Sequence, residues 1–293
     1  MFKKLIATGG IVIMALGLFT GCFGRSYTIG KNPKLEEITS ITAGGGGMDY
    51  SSQWSYSARR SSKDGKCELN RVFWDDSINE MKDITVEISG YEYEKIIHSV
   101  EGLKYVKYSP PKNVMDGSSE SVRIYWPDSP SGSYRIDFGE TGMRDLMYAF
   151  TEVWDANAYK ANDPVDVTGI TYFSFGFGPT DIAEGDARYT AEIDKESGEV
   201  ILTYKESGPF DEKTVTADPS FMDEIVKIIK ENGADRWDGF SGNDSWVMDG
   251  SAFSLFVASE DGILISAGGR ENYPDGFGKF NQDLEKLYGT VFN

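Results

Sequence analysis

A chain of 293 residues with 47 acidic against 29 basic side chains carries a formal net charge of −18. A field of that sign repels nucleic acid and anionic lipid headgroups, which excludes partners recognised through their phosphates. One histidine and two cysteines are too few for a zinc site of the usual nitrogen and sulfur ligands.

The chain begins Met1-Phe2-Lys3-Lys4, continues through an apolar stretch over residues 5–19 and reaches Thr20-Gly21-Cys22. A short positive region, an apolar run and small residues before a cut form a secretory signal over residues 1–21, too short for a comfortable spanning helix. Cleavage there removes two lysines and no acid, leaving a net charge of about −20. That acidity favours cations or basic partners, or serves only solubility.

Phe19-Thr20-Gly21-Cys22 resembles the lipobox of bacterial lipoproteins, whose cysteine is lipidated and becomes the new N-terminus. The family usually has leucine three residues before the cysteine; Phe19 stands there, with Leu18 one place earlier. The resemblance implies lipidation of Cys22, a tether over residues 22–37, and a protein anchored to the membrane on its extracytoplasmic face. An uncleaved membrane anchor is the alternative, and either one places the remaining chain outside the cytoplasm. With Cys22 acylated, Cys67 reads as a small buried hydrophobe in a strand. Otherwise a disulfide between the two becomes available in an oxidising compartment.

Val-Met-Asp-Gly-Ser occurs at residues 114–118 and again at residues 247–251, a spacing of 133, and the surroundings repeat as well. Ile38, Ile41, Val86, Ile96 and Ile136 align with Val167, Ile170, Val215, Ile225 and Ile265 at 129, whereas Tyr56 and Gly65 align with Tyr189 and Gly198 at 133. Spacings that alternate between two values are what duplication followed by loop insertion leaves, so the chain reads as two tandem homologous repeats. Their expected bounds are residues 38–154 and 167–293, joined by a polar linker at residues 155–166.

In the first repeat, Lys63-Asp64-Gly65 predicts a hairpin between strands at 54–60 and 66–74. Residues 84–89 alternate as a half-buried strand. Tyr93, Ile96, Ile97 and Val100 then form one apolar helical face. Strands at 121–126 and 133–138 precede a second helix with Leu146, Phe150, Val153 and Trp154 on one side. Gly44 to Gly47 lack the Lys and Ser or Thr of a phosphate loop and read as a flexible turn. In the second repeat, aromatics alternate along residues 172–178, and a hairpin joins 187–194 to 199–206. Asp218-Pro219 opens a helix, and Phe280, Leu284, Leu287 and Tyr288 mark the last one. The fold class is α+β, each repeat a mainly antiparallel sheet with two helices.

Both pentapeptides fall in a connection leading to a strand, with Asp-Gly as the turn element. On a functional reading Asp116, Ser118, Asp249 and Ser251 offer oxygens to a cation or hydroxylated ligand at equivalent rims. On a structural reading the aspartates bond nearby amides and the glycines supply an unusual dihedral. Trp246, beside Asn243 and Asp244, is the tryptophan expected to be exposed for stacking. His98 reads as an exposed helix residue. No nucleophile motif is present, and no cofactor is expected. The stretch from Asn243 to Gly250 is only a loose approximation to a calcium loop. Asp75, Asp76, Asp116 and Asp249 are candidates for a glycosidase-type acid pair.

Beyond its leader the chain resembles the duplicated-domain lipoproteins of Gram-positive bacteria, a resemblance that implies no activity. The expected function is a non-catalytic, surface-anchored binding or interaction protein whose partner is a glycan, a peptide or a protein. A carboxylate-dependent hydrolase of cell-wall or environmental polysaccharide is the second expectation, and a protein inhibitor or assembly factor the third.

Overall fold

The computed structural model describes residues 33–46, 50–107, 119–126, 134–137, 143–179, 187–206, 212–247 and 250–292. The signal segment, Cys22, Asp116, Ser118 and Asp249 lie outside the described residues.

Four strands lead the first half: β1 (Ser40–Gly46), β2 (Trp54–Arg60), β3 (Cys67–Asp75) and β4 (Glu80–Ile88). Helix α1 (Gly90–His98) follows, then β5 (Lys104–Lys107), β6 (Ser119–Tyr125), β7 (Tyr134–Asp137) and helix α2 (Arg144–Asp155). The second half opens with β8 (Ile170–Pro179), β9 (Ala187–Ile193), β10 (Val200–Lys205) and β11 (Lys213–Ala217). It continues with α3 (Ser220–Glu231), β12 (Ser241–Asn243), β13 (Ser251–Ser259), β14 (Gly262–Arg270) and α4 (Phe277–Phe292).

The first sheet runs β4-β3-β2-β1-β6 and is antiparallel throughout, while β5 and β7 form a separate antiparallel ribbon. The second runs β11-β10-β9-β8-β13-β14-β12. It is mixed, because β12 lies parallel to β14. Taken from its outer edge inward, the second sheet repeats the strand order of the first over five strands. Among the described residues the fold is α+β, two main sheets and the small ribbon with four α-helices.

Each sheet presents alternate apolar residues to its own pair of helices. Ile41, Ala43, Tyr56, Ala58, Leu69 and Val86 meet Tyr93, Ile96, Ile97, Phe150 and Trp154 in one buried cluster. Phe173, Phe175, Tyr189, Ala191 and Leu202 meet Ile225, Ile229, Phe280, Leu284 and Tyr288 in another. The helical faces expected from spacing are therefore the faces that are buried, since an amphipathic helix gains most of its stability from packing. Cys67 is buried at the start of β3 as a free thiol, its Sγ 3.6 Å from the Gly65 carbonyl oxygen.

Both expected hairpins form. Gly65 and Gly198 adopt φ of +74° and +73°, and each amide donates to a carbonyl four residues back, Ser61 at 3.0 Å and Asp194 at 2.8 Å. A Cβ at either position would meet nothing within 4 Å, so the backbone conformation alone demands glycine. Gly65→Ala and Gly198→Ala are each expected to cost about 1 kcal/mol, measured by urea unfolding.

The glycine run departs from expectation. Gly44, Gly45 and Gly46 are not a turn but the end of β1, Gly44 and Gly45 paired with both β2 and β6 and Gly46 with β6, while Gly47 lies outside the described residues. A Cβ on Gly45 would stand 3.1 Å from the Trp54 indole, and one on Gly44 3.1 Å from Ser55 Cβ. Glycine in this strand marks close approach by a neighbouring side chain, and two flanking strands hold a backbone that would otherwise be free to turn.

Residues 155–166 are tightly joined to what precedes and follows. A 3-10 turn (Ala158–Ala161) buries Tyr159, whose ring packs edge-on against Phe240 at 5.3 Å and whose hydroxyl accepts from the Asp275 amide at 2.8 Å. Asn162 donates to the carbonyls of Arg236 and Asp238, at 3.2 and 2.8 Å.

Candidate functional site

Helix α1 is fixed at its first turn by a reciprocal cap. Ser89 Oγ accepts from the Glu92 amide at 3.1 Å, and Glu92 Oε2 accepts from the Ser89 amide at 2.7 Å. This capping box sets the direction in which the helix leaves β4. Tyr91 and Lys95, one turn apart on that helix, stand on the same side of it.

That side meets the second half. Lys95 Nζ lies 2.7 Å from Glu152 Oε1 on α2 and 3.0 Å from Asp244 Oδ1, just past β12. Lys95 is 5% exposed and Glu152 8%. Glu152 also accepts from the Ser245 amide at 2.8 Å and its hydroxyl at 2.9 Å. Asp244 accepts from the Trp246 amide and from the Tyr91 hydroxyl, both at 3.0 Å. One buried ammonium and two carboxylates thus tie α1 and α2 to the turn after β12, with each charge hydrogen-bonded.

Burial alone would raise the Asp244 carboxyl, but the hydrogen bonds from Lys95, the Trp246 amide and Tyr91, with the Lys95 charge, hold it below the usual range. Burial, and then the hydrogen bond to Asp244 and its charge, push the Tyr91 phenol up. Asp244 is therefore an anion at neutral pH and Tyr91 a neutral donor.

Next to this knot lies a cleft of about 270 Å³ between the two halves. Tyr91, Glu92, Lys95 and Glu152 line one wall, and Asn243, Asp244, Glu271, Asn272 and Tyr273 the other. Tyr91 of that lining and Trp246 just outside it meet edge-to-face at 5.5 Å, each 50% exposed. One face of Trp246 covers the Lys95 ammonium at 5.6 Å, and the His98 ring stands nearly perpendicular to it at 6.0 Å. The side-chain amides of Asn243 and Asn272 make no hydrogen bond among the described residues.

Glu271 has φ +52°, an uncommon conformation for any residue but glycine. Its carboxylate accepts from the Ser251 amide, its own amide donates to the Ser251 carbonyl at 3.0 Å, and the Tyr273 hydroxyl donates to the same carbonyl at 2.8 Å. A Cβ on Gly250 would collide with the Glu271 carboxylate at 2.2 Å. The end of the second pentapeptide therefore braces one wall of the cleft, Gly250 by having no side chain and Ser251 through its backbone.

The structure brings two of the expected site residues to this region. Trp246 is exposed at the cleft edge, the only exposed one of the six tryptophans, all of which lie in described segments. Ser251 starts β13 behind the Glu271 wall. Asp75 lies instead in the β3–β4 hairpin, where hydrogen bonds from Lys82 and Ser77 lower its carboxyl to about 2, and Asp76 is exposed beside it. His98 is exposed as expected, its Nδ1 3.0 Å from Glu101. Among the described residues no group of three or more metal-ligating side chains occurs, and no helix is long and apolar enough to cross a membrane.

Lys95, Glu152, Tyr91, Asp244 and Glu271 did not stand out in the sequence. The legible signals were a Ser-x-x-Glu cap at Ser89 and two charges, Lys95 and Glu152, set beside apolar helical stripes. No protein-family model matches this chain, and no curated protein sequence matches it.

Proposed function

We propose that this is an exported, lipid-anchored, non-catalytic binding protein whose ligand seats in the cleft between its halves. The observation that carries the reading is the pair of half-exposed rings, Tyr91 and Trp246, at the edge of a cleft whose floor is a buried ion network. An aromatic ring left in water next to preformed polar groups is the usual anatomy of a recognition site.

Asp244, held ionised beside Lys95, is unsuited to the acid role of a glycosidase, which requires a carboxyl that keeps its proton near neutral pH. Duplication of one ancestral unit accounts for the common strand order and for the matched glycines at 65 and 198. The leader sequence supports anchoring through Cys22.

In a melting screen of the whole protein against oligosaccharides and short peptides, a true ligand raises the transition temperature. Tyr91→Ala with Trp246→Ala is expected to abolish the shift. A shift that survives both changes, or turnover of the added compound, would sink the proposal. In cells, Cys22→Ser is expected to abolish incorporation of labelled fatty acid into the protein, and labelling that survives the change would count against the lipid anchor.

A further inference from the structure

We infer that the cleft takes a single hydroxylated ring without negative charge, a neutral or amino-bearing sugar unit. This rests on the reading of the cleft as a binding site. At about 270 Å³ it falls just below the roughly 300 Å³ at which pockets for drug-sized molecules begin, so it holds one ring rather than a folded segment.

Its polar groups match hydroxyls. A hydroxyl both donates and accepts, and so does a carboxamide. Asn243 and Asn272 line the cleft with both functions unused among the described residues. Glu271 adds an acceptor, since among the described residues Ser251 and Tyr273 engage its Oε1 alone. A sugar ring also has an apolar face of C–H bonds with slight positive charge, which suits the negative face of an aromatic ring. Tyr91 lines the cleft and Trp246 packs beside it, both half exposed.

Charge narrows the class. Five carboxylates and two lysines line the cleft, and the whole chain carries −18, so uronic and other acidic sugars are repelled. A lysine side chain fits less well than a sugar, amino-bearing or neutral, because it has no hydroxyls to pair with the Asn243 and Asn272 carboxamides.

The test uses the full chain purified in detergent and saturation-transfer NMR. The probes are cellobiose, maltose, lactose, chitobiose and glucosamine, with galacturonic acid and trilysine as contrasts. At least one neutral or amino sugar is expected to bind while galacturonic acid does not. Trp246→Ala should weaken binding by at least about tenfold. Asn272→Ala, which leaves the ion network untouched, should weaken it by about tenfold or less. Binding of trilysine but no sugar, lost in Trp246→Ala, would overturn the sugar assignment and leave the cleft a binding site. Preference for galacturonic acid would overturn the charge argument. Failure of every probe to bind would overturn both the assignment and the binding role of the cleft.

Discussion

Lys95→Met is expected to destabilise the protein by about 3–5 kcal/mol, measured by urea unfolding at pH 7. The lysine is buried between Glu152 at 2.7 Å and Asp244 at 3.0 Å, so methionine leaves two carboxylates facing each other without a counter-charge. The cost lies in that uncompensated charge rather than in the lost bonds themselves. Neutralising the whole group, with Lys95→Met, Glu152→Gln and Asp244→Asn together, should therefore restore most of the stability. A loss below about 1 kcal/mol for Lys95→Met would place this group with exposed ion pairs and refute its role in joining the halves.

The pH dependence separates the two proteins further. The folded-state pKa of Asp244 is depressed in the wild type. The stability it contributes is present above the unfolded carboxylate value, about 3.9, and is lost as pH falls through the lower folded value. In Lys95→Met the Asp244 carboxyl loses the Lys95 hydrogen bond and charge that lowered it, and burial, which raises it, is less opposed. That variant binds protons in the folded state first, so its deficit against wild type should shrink as pH falls from 7 toward 5. A deficit constant over that range would mean that the lost stability is packing rather than charge.

The parts of this fold legible in sequence were those set by neighbours three or four residues away. Tyr93, Ile96 and Ile97, or Phe280, Leu284 and Tyr288, identify a buried face by spacing alone, and all are fully or nearly fully buried. The hairpin glycines were legible for the same local reason. The Gly44–Gly46 strand was not, because its conformation comes from pairing with β2 and β6 and from the indole of Trp54 lying over it. Strand β12, three residues long and parallel to β14, is too short to show a period. The cleft is the extreme case: Lys95 meets Glu152 and Asp244 across 57 and 149 residues. Trp246 was visible only as a tryptophan amid polar neighbours. What it stands against, Tyr91, His98 and Lys95, belongs to a helix of the other half.

Trp237→Ala is expected to cost about 3–5 kcal/mol and to lower one cooperative transition in calorimetry. Trp237 is fully buried, with the rings of Phe253, Phe277 and Phe280 at 6.2, 6.3 and 5.0 Å. Removing the indole opens a cavity that rigid rings fill poorly. Phe150→Ala should act alike in the first half, where that ring stacks on Tyr56 at 5.4 Å. The two hydrophobic clusters are separate, so damage to one reaches the other only through the junction. The Lys95 network, the two bonds from Ser245 to Glu152 and the bond from the Asp275 amide to Tyr159 supply that coupling. Combining Trp237→Ala with Lys95→Met should therefore split the transition in two, the second half melting first. A split already present in Trp237→Ala alone would show that the halves unfold independently and that the junction holds them in place without sharing their stability.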